Sequence, residues 1–210
     1  MDFAVVLVAA GASTRMGFPK LWTDVCGRPL ISYAIDAARA TRPSELIIVA
    51  SEDRVQDAIR LAPDVTVIPG GARRRDSVAV GLAASTADWL AIHDAARAFA
   101  PPEVFQRGLA AAQSTGAAIP CVPLKDTIKR VAGSRVVDTP RRAEHVVVQT
   151  PQIFRRDGLE RALAVTDADV TDEAALVEQL GVGVAVFEGD ERAFKVTTPL
   201  DLALARALLA

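Results

Sequence analysis

Phe3-Ala4-Val5-Val6-Leu7-Val8-Ala9-Ala10-Gly11-Ala12-Ser13-Thr14-Arg15-Met16-Gly17-Phe18-Pro19-Lys20-Leu21 is the stretch from which the rest of the chain is read. An apolar run of strand length, Phe3 to Ala10, breaks into small residues, then two cations five positions apart, Arg15 and Lys20, with Pro19 beside the second. Such a run fits a buried parallel strand opening into a loop. Small residues let a ligand approach the backbone, and loop N–H groups with fixed cations suit a polyphosphate. Two familiar phosphate motifs do not fit. Five residues separate Gly11 from Gly17 and Lys20 comes three after Gly17, which is not P-loop spacing; Ser13 stands where a dinucleotide fingerprint needs Gly. Two readings remain at this point: a loop that wraps a nucleoside triphosphate, or a turn carrying two solvated cations.

Outward from this loop, helical and strand patterns alternate. The periodicity predicts helices over 29–40, 54–61, 76–84 and 103–114, with strands over 45–50, 65–68, 89–93 and 117–122 between them. After 144 it predicts strands over 145–149 and 182–188, a short one over 194–197, and helices over 157–165, 171–180 and 199–209. This alternation with short connections reads as one α/β domain over 1–210, a Rossmann-like, mostly parallel twisted sheet with helices on both faces. Ligands of such sheets bind beyond the carboxyl ends of the strands, so the loops 11–20, 70–77 and 94–98 are expected to converge. The stretch from about 124 to 144 is different: polar, basic and without helical period. Asp126 to Val131, a turn at Ala132-Gly133-Ser134, and Arg135 to Asp138 read as a protruding β-arm. A lone hairpin is marginal in water, so this arm is expected to pack on a partner chain.

Composition narrows the function classes. The 210 residues are half hydrophobic, with 24 Lys+Arg against 26 Asp+Glu, a net charge of −2 and a pI near 5.7. No global basic field attracts nucleic acid; the cations are clustered at Arg73-Arg74-Arg75, Lys125, Lys129-Arg130 and Arg141-Arg142, which suits a small polyanion. Cys26 and Cys121 form no metal-binding pattern, and no run has the length of a bilayer span or the form of a signal peptide. A cytoplasmic protein with reduced thiols is expected.

Three further constellations carry chemistry. His93-Asp94-Ala95-Ala96-Arg97 places a carboxylate just past a strand. Beside a triphosphate that carboxylate needs a divalent cation between the two, and Mg²⁺ suits such a site; the alternative is that Asp94 caps a helix or pairs with Arg97. His93 reads as a packed core residue. Gly70-Gly71-Ala72-Arg73-Arg74-Arg75-Asp76-Ser77-Val78 allows close backbone approach, with Ser77 available to a base edge; the alternative is a solvated turn. Lys195, before Thr197-Thr198-Pro199, is a candidate anion ligand or a solvated lysine.

The first loop resembles the signature loop of nucleotidyltransferases that activate sugars and polyols. H-D-A-A-R, G-G-x-x-R-x-D-S-V, D-T-I-K-R, T-P-Q-x-F, T-D-E-A and F-K-V-T-T-P-x-D-L then stand in the chain. Together they resemble the 2-C-methyl-D-erythritol 4-phosphate cytidylyltransferases of the non-mevalonate isoprenoid pathway, over essentially the whole chain. The resemblance implies that Arg15 and Lys20 stabilise the transition state on the triphosphate. It implies that Ala9, Ala10, Gly11, Gly71, Ala72 and Ser77 hold the cytidine part of CTP, and that Asp94 is the Mg²⁺ ligand. It places Thr127, Arg142 and Lys195 on the methylerythritol phosphate, with Arg142 and Lys195 clamping the attacking phosphate. It also implies a homodimer in which Thr127 and Arg142, on the arm, reach the partner's site. Ala72, Ala98 and Ala193 depart from the usual residues of the motifs, and none of these removes a required charge. Enzymes that make CDP-ribitol from ribitol 5-phosphate share part of the series and are the competing assignment; a non-catalytic nucleotide-binding regulator is the alternative from another class.

Overall fold

Phe3–Ala9 forms β1, and its successive side chains feed two different apolar layers. Phe3, Val5, Leu7 and Ala9 join one buried cluster and Val6 the other. The unbroken apolar run is therefore the period-2 alternation of a strand covered on both faces. The computed structural model describes residues 1–11, 17–165, 170 and 172–209.

After β1 come a small ribbon of β2 (Asp24–Val25) and β3 (Arg28–Pro29), α1 (Leu30–Ala40), β4 (Glu45–Ala50), α2 (Val55–Leu61), β5 (Thr66–Pro69), α3 (Arg74–Ala83) and β6 (Trp89–Asp94). Then follow α4 (Pro102–Ala112), β7 (Ala117–Pro123), the hairpin β8 (Arg130–Ala132) and β9 (Arg135–Asp138), β10 (Val146–Val148) and β11 (Gln152–Arg155). The chain ends with α5 (Arg156–Val165), α6 (Ala174–Gln179), β12 (Ala185–Glu188) and α7 (Pro199–Ala207). The main sheet runs β10-β7-β11-β6-β1-β4-β5, with β12 added on β7. β1 pairs parallel with both β4 and β6, as do β4 with β5 and β7 with β12. Strand order thus reverses about β1, the kind of switch point where open α/β sheets leave a crevice. Helices α1, α2, α4 and α7 pack on one face, and α3, α5 and α6 on the other.

The structure corrects several expected boundaries. The segment Gln152–Arg155, to which the sequence pattern assigns no element, is a strand inserted antiparallel between β6 and β7. Four residues with adjacent Ile153 and Phe154 carry no alternation to announce it. The expected strand over 194–197 is not paired in a sheet; its Val196 N–H donates instead to the Ala96 carbonyl at 2.9 Å. Helix α3 starts at Arg74 rather than at Asp76, because the Asp76 carboxylate accepts the Arg73 backbone N–H (3.1 Å) and so lies inside the first turn. The first arm strand shortens to Arg130–Ala132. The expected helix start at Thr171 lies outside the described residues, and α6 is helical from Ala174. Among the described residues no helix is long and apolar enough to cross a membrane.

Candidate active site

Asp94 is the last residue of β6, and the next N–H, that of Ala95, donates to the Val8 carbonyl at 3.1 Å and holds the strand end against β1. Its own N–H donates to the Thr150 hydroxyl (3.0 Å), which lies 2.9 Å from His93 Nδ1. His93 Nε2 is 3.2 Å from the Arg97 carbonyl. A carbonyl only accepts, so Nε2 carries the proton and Nδ1 accepts from Thr150. Both ring nitrogens are used, the ring packs 5.1 Å from Phe105, and burial pushes the imidazole pKa down to about 4, further than Asp94 raises it. His93 is a neutral core strut, as its sequence context suggests.

The Asp94 carboxylate is buried, 7% exposed, and held by two cations from distant segments. Oδ1 accepts from Arg74 Nε at 3.1 Å and Oδ2 from Lys195 Nζ at 2.7 Å. Burial opposes its charge, but Arg74 and Lys195 outweigh that and hold it well below the usual carboxylate range. Arg97, the partner suggested by sequence, does another job: Nη1 donates to the Ala193 carbonyl (2.8 Å) and Nη2 to that of Val148 (3.3 Å). With the Val196–Ala96 bond, these contacts tie residues 193–196 to the end of β6 and deliver Lys195 to Asp94. Arg74 also grips Glu173, whose Oε1 lies 2.6 Å from Nη1. Burial works against the Arg74 charge, and the two carboxylates overcome it and raise its pKa above the ordinary arginine value.

The second part of the site is the end of β1 against the turn after β5. Ala9, Ala10, Gly11, Pro19, Leu21, Trp22, Ser51, Asp53 and Arg54 line a cleft of about 290 Å³. Lys20 opens a 3-10 turn at Lys20–Trp22 anchored by buried Leu21. A Cβ on Gly70 would lie 2.5 Å from the Ala10 Cβ and 2.8 Å from Ser77 Oγ, so only glycine lets these backbones meet. One on Gly71 would lie 2.3 Å from the Asp76 Cβ. Ser77 Oγ accepts from Gly71 N–H at 3.2 Å and donates to the Arg73 carbonyl at 3.3 Å, shaping the turn from within. Ala72 is exposed beside it. The three arginines are not a solvated turn: Arg73 pairs with Asp76, Arg74 with Asp94, and Arg75, 7% exposed, donates to the Leu163 carbonyl.

The structure therefore brings Ala9, Ala10, Gly11, Gly71 and Ser77 into neighbouring loops and joins Asp94 to Lys195. Arg15 lies outside the described residues. Thr127 and Arg142 are on the arm, both exposed, and Arg142 Nη1 donates to the Lys125 carbonyl at 2.7 Å. Sequence reasoning passed over Thr150, Arg74 and Glu173, although each stands in a quoted motif, T-P-Q-x-F, G-G-x-x-R and T-D-E-A. What marks them, burial of polar groups against one carboxylate, exists only in three dimensions.

Among the described residues no three His, Cys, Asp or Glu side chains gather into a ready-made metal cage. Mg²⁺ does not need one. It is usually held by one or two carboxylates with substrate phosphates completing the shell. A buried, ionised Asp94 at a crevice beside the glycine turn fits that donor set.

The family model for 2-C-methyl-D-erythritol 4-phosphate cytidylyltransferase matches residues 3–210. An enzyme of that name from Frankia casuarinae is 47% identical, covering 99% of this chain and 81% of the relative. Another from Rhodococcus jostii is 42% identical, covering 96% of this chain and 92% of the relative. The crystal structure of the Thermus thermophilus enzyme superposes with a TM-score of 0.86 at 33% identity, covering 100% of this chain and 99% of that one. A match along nearly the whole chain, with a cluster of buried charges where the strand order reverses, means that this protein belongs to the 2-C-methyl-D-erythritol 4-phosphate cytidylyltransferase family.

Proposed function

We propose that the crevice formed by the ends of β1, β5 and β6 carries out the family's reaction, with each candidate residue acting on one part of it. The chain is a cytidylyltransferase of isoprenoid precursor biosynthesis: it transfers CMP from CTP to 2-C-methyl-D-erythritol 4-phosphate, giving 4-diphosphocytidyl-2-C-methyl-D-erythritol and pyrophosphate. An oxygen of the acceptor phosphate forms the new bond to the α-phosphorus of CTP. The bond from that phosphorus to the β-bridging oxygen breaks, and pyrophosphate leaves with the electron pair. The attacking oxygen is already ionised near neutral pH, so no general base is required. Neutral, buried His93 is accordingly not asked to be one.

Positioning and electrostatics then carry the rate. The small residues Ala9, Ala10, Gly11, Gly71 and Ala72 leave room for the cytidine against backbone, and Ser77 holds the shape of that turn. Lys20 and Arg15 are the cations assigned to the triphosphate. Asp94 holds Mg²⁺, which when bound neutralises triphosphate charge in the transition state. Lys195 turns from Asp94 toward the acceptor phosphate, with Arg142 as its second clamp. The observation that carries this reading is the Asp94 carboxylate, buried and ionised between Lys195 and Arg74 at the carboxyl end of β6.

The arm is proposed to complete the site of a second copy of the chain. Val131, Val136 and Val137 are 61%, 59% and 48% exposed on a hairpin whose strands pair only with each other, a surface that gains by burial against a partner. Pyrophosphate release tests the acceptor: with CTP and Mg²⁺ it should be rapid with 2-C-methyl-D-erythritol 4-phosphate and slow with ribitol 5-phosphate. Equal or faster turnover of ribitol 5-phosphate would overturn the acceptor assignment.

A further inference from the structure

Glu173 is a nearly sealed carboxylate, 1% exposed, at the start of α6, and its charged partner is Arg74. The same planar guanidinium presents its Nε and Nη2 to Asp94 Oδ1, both at 3.1 Å, and its Nη1 to Glu173. One arginine therefore spans two carboxylates, and its rigid fork fixes where each sits. Glu173 is held in turn from below. Its neighbour Asp172 accepts from Gln152 Nε2 on β11 (3.0 Å) and from Ala175 N–H (3.1 Å), so the start of α6 is docked against the floor of the site.

The two carboxylates differ in what they can give up. Asp94 has a second cation in Lys195 and lies at the carboxyl end of β6, so it can exchange its partners. Burial, with the Asp94 charge nearby, raises the Glu173 pKa above the ordinary carboxylate value, and the Arg74 ion pair is what opposes that rise. When Asp94 turns to a metal–triphosphate, Arg74 loses one side of its pairing and keeps the other.

We propose that Glu173 is a positioning residue for the transfer reaction: it retains the Arg74 guanidinium, so that Arg74 does not compete with the divalent cation for the Asp94 carboxylate. Without the Glu173 charge, Arg74 has Asp94 as its single anion, and the metal must displace a more tightly held arginine. Glu173 touches no reacting atom and acts through Arg74. This inference rests on the reading of Asp94 as the metal ligand.

The test is a Mg²⁺ titration read in two ways, by turnover at saturating CTP and by calorimetric CTP binding at stepped Mg²⁺ without acceptor. Glu173→Gln should raise the Mg²⁺ midpoint roughly tenfold in both, the scale of one redistributed charge-assisted hydrogen bond, while kcat at saturating Mg²⁺ stays within about threefold of wild type. A residue with only a structural role would lower the melting temperature without moving the midpoint, and that result overturns the proposal. The double variant Arg74→Gln/Glu173→Gln removes the competitor and should return the midpoint to within about threefold of wild type. A double variant as shifted as Glu173→Gln overturns the route through Arg74. If Glu173→Gln does not fold, Glu173→Asp, which keeps the charge but draws it back by one methylene, carries the test: a midpoint raised severalfold supports the proposal and an unmoved one overturns it. Asp94→Asn separates the two layers. An unmoved midpoint in Asp94→Asn removes the metal reading itself, whereas a shift there with none in Glu173→Gln removes only the proposal.

Discussion

Replacing Gly70 with alanine should damage the nucleotide side of the site selectively, and the size of the effect follows from three distances. The new methyl carbon would sit 2.5 Å from the Ala10 Cβ, 2.8 Å from Ser77 Oγ and 3.2 Å from Val49 Cγ1. Carbon atoms pack comfortably at about 3.5–4.0 Å, so roughly 1 Å of overlap with Ala10 must be relieved. Ala10 has no rotamer to change, so the end of β1 or the turn at 70–71 has to move. Overpacking of this kind costs about 1–3 kcal/mol. The loss of unfolded-state freedom on going from Gly to Ala offsets about 0.4–1 kcal/mol. The net loss lies between about 0 and 2.6 kcal/mol, and its midpoint of about 1.3 kcal/mol lowers the melting temperature of a chain of this length by roughly 3–5 °C. Because Ala10 and Gly71 border the proposed cytidine position, KM for CTP should rise about tenfold while KM for the acceptor changes by less than about twofold. Thermal unfolding and steady-state kinetics with each substrate varied in turn read both effects. Ala10→Gly in the same chain removes the atom at 2.5 Å and should recover part of the stability and of the CTP affinity, a favourable coupling of at least about 0.5 kcal/mol. A Gly70→Ala protein with unchanged melting and unchanged KM for CTP, or a strictly additive double variant, would refute the close-approach argument.

Lys20→Ala should lower kcat on the order of a hundredfold, as loss of a charge-stabilising donor does, with melting nearly unchanged since the side chain lies outside the core; near-normal kcat in a folded variant would remove Lys20 from the chemistry. His93 gives a pH signature. Its folded pKa of about 4 lies below the unfolded 6.5, so the fold favours the neutral ring, and the stability this confers is complete above pH 6.5 and lost as pH falls towards 4. That difference amounts to roughly 3 kcal/mol, so urea unfolding of His93→Gln should depend less on pH across this window than wild type does; an equal dependence would assign the effect to other groups. Mixing inactive Arg142→Ala and Lys20→Ala chains should restore up to about a quarter of wild-type activity if the arm completes a partner's site and chains exchange at random, and verified heterodimers without recovery would show that it does not.

The sheet was largely legible because both of its faces are covered. Val5-Val6-Leu7-Val8 and Leu46-Ile47-Ile48-Val49 are apolar at every position, which only a strand buried on two sides requires. Strand β11 was not legible. Two of its four residues are polar or charged, and Gln152 is buried because a neighbouring side chain, Asp172, accepts its amide rather than because of any periodicity. The loops proposed to hold CTP announced themselves through small residues and glycine pairs, which an ordinary solvated turn does not require. The charged residues behind them did not. Arg73, Arg74 and Arg75 are one chemical type in a row, yet one is paired within its own turn, one spans two carboxylates, and one is sealed against the Leu163 carbonyl. Helical rotation of about 100° per residue sends neighbours to different surroundings, and a linear motif does not say which of them turns inward.

The arrangement around Asp94 is hard to explain as a stabilising device. Arg74 and Lys195 contact its carboxylate directly, and buried ion pairs of this kind are commonly no more stabilising than apolar residues filling the same space. The surroundings show that apolar filling was available, since Ala91, Ile92, Ala95 and Ala96 flank it as closely packed core. The charges also come from three separated parts of the sequence, α3, the end of β6 and the segment before α7. Holding them together uses Arg97 to pin two further backbone carbonyls. What such a cluster offers is exchange: an ionised carboxylate already desolvated, with Lys195 free to be handed to incoming phosphate and Arg74 kept by Glu173 if a metal takes their place, as proposed above. Thr150 adds to this by fixing the Asp94 backbone through its hydroxyl while leaving both carboxylate oxygens to other partners. The position of the strand end is set by neutral hydrogen bonds and the charge above it stays exchangeable. This division of labour means that the partner exchange proposed for Asp94 does not require β6 to move.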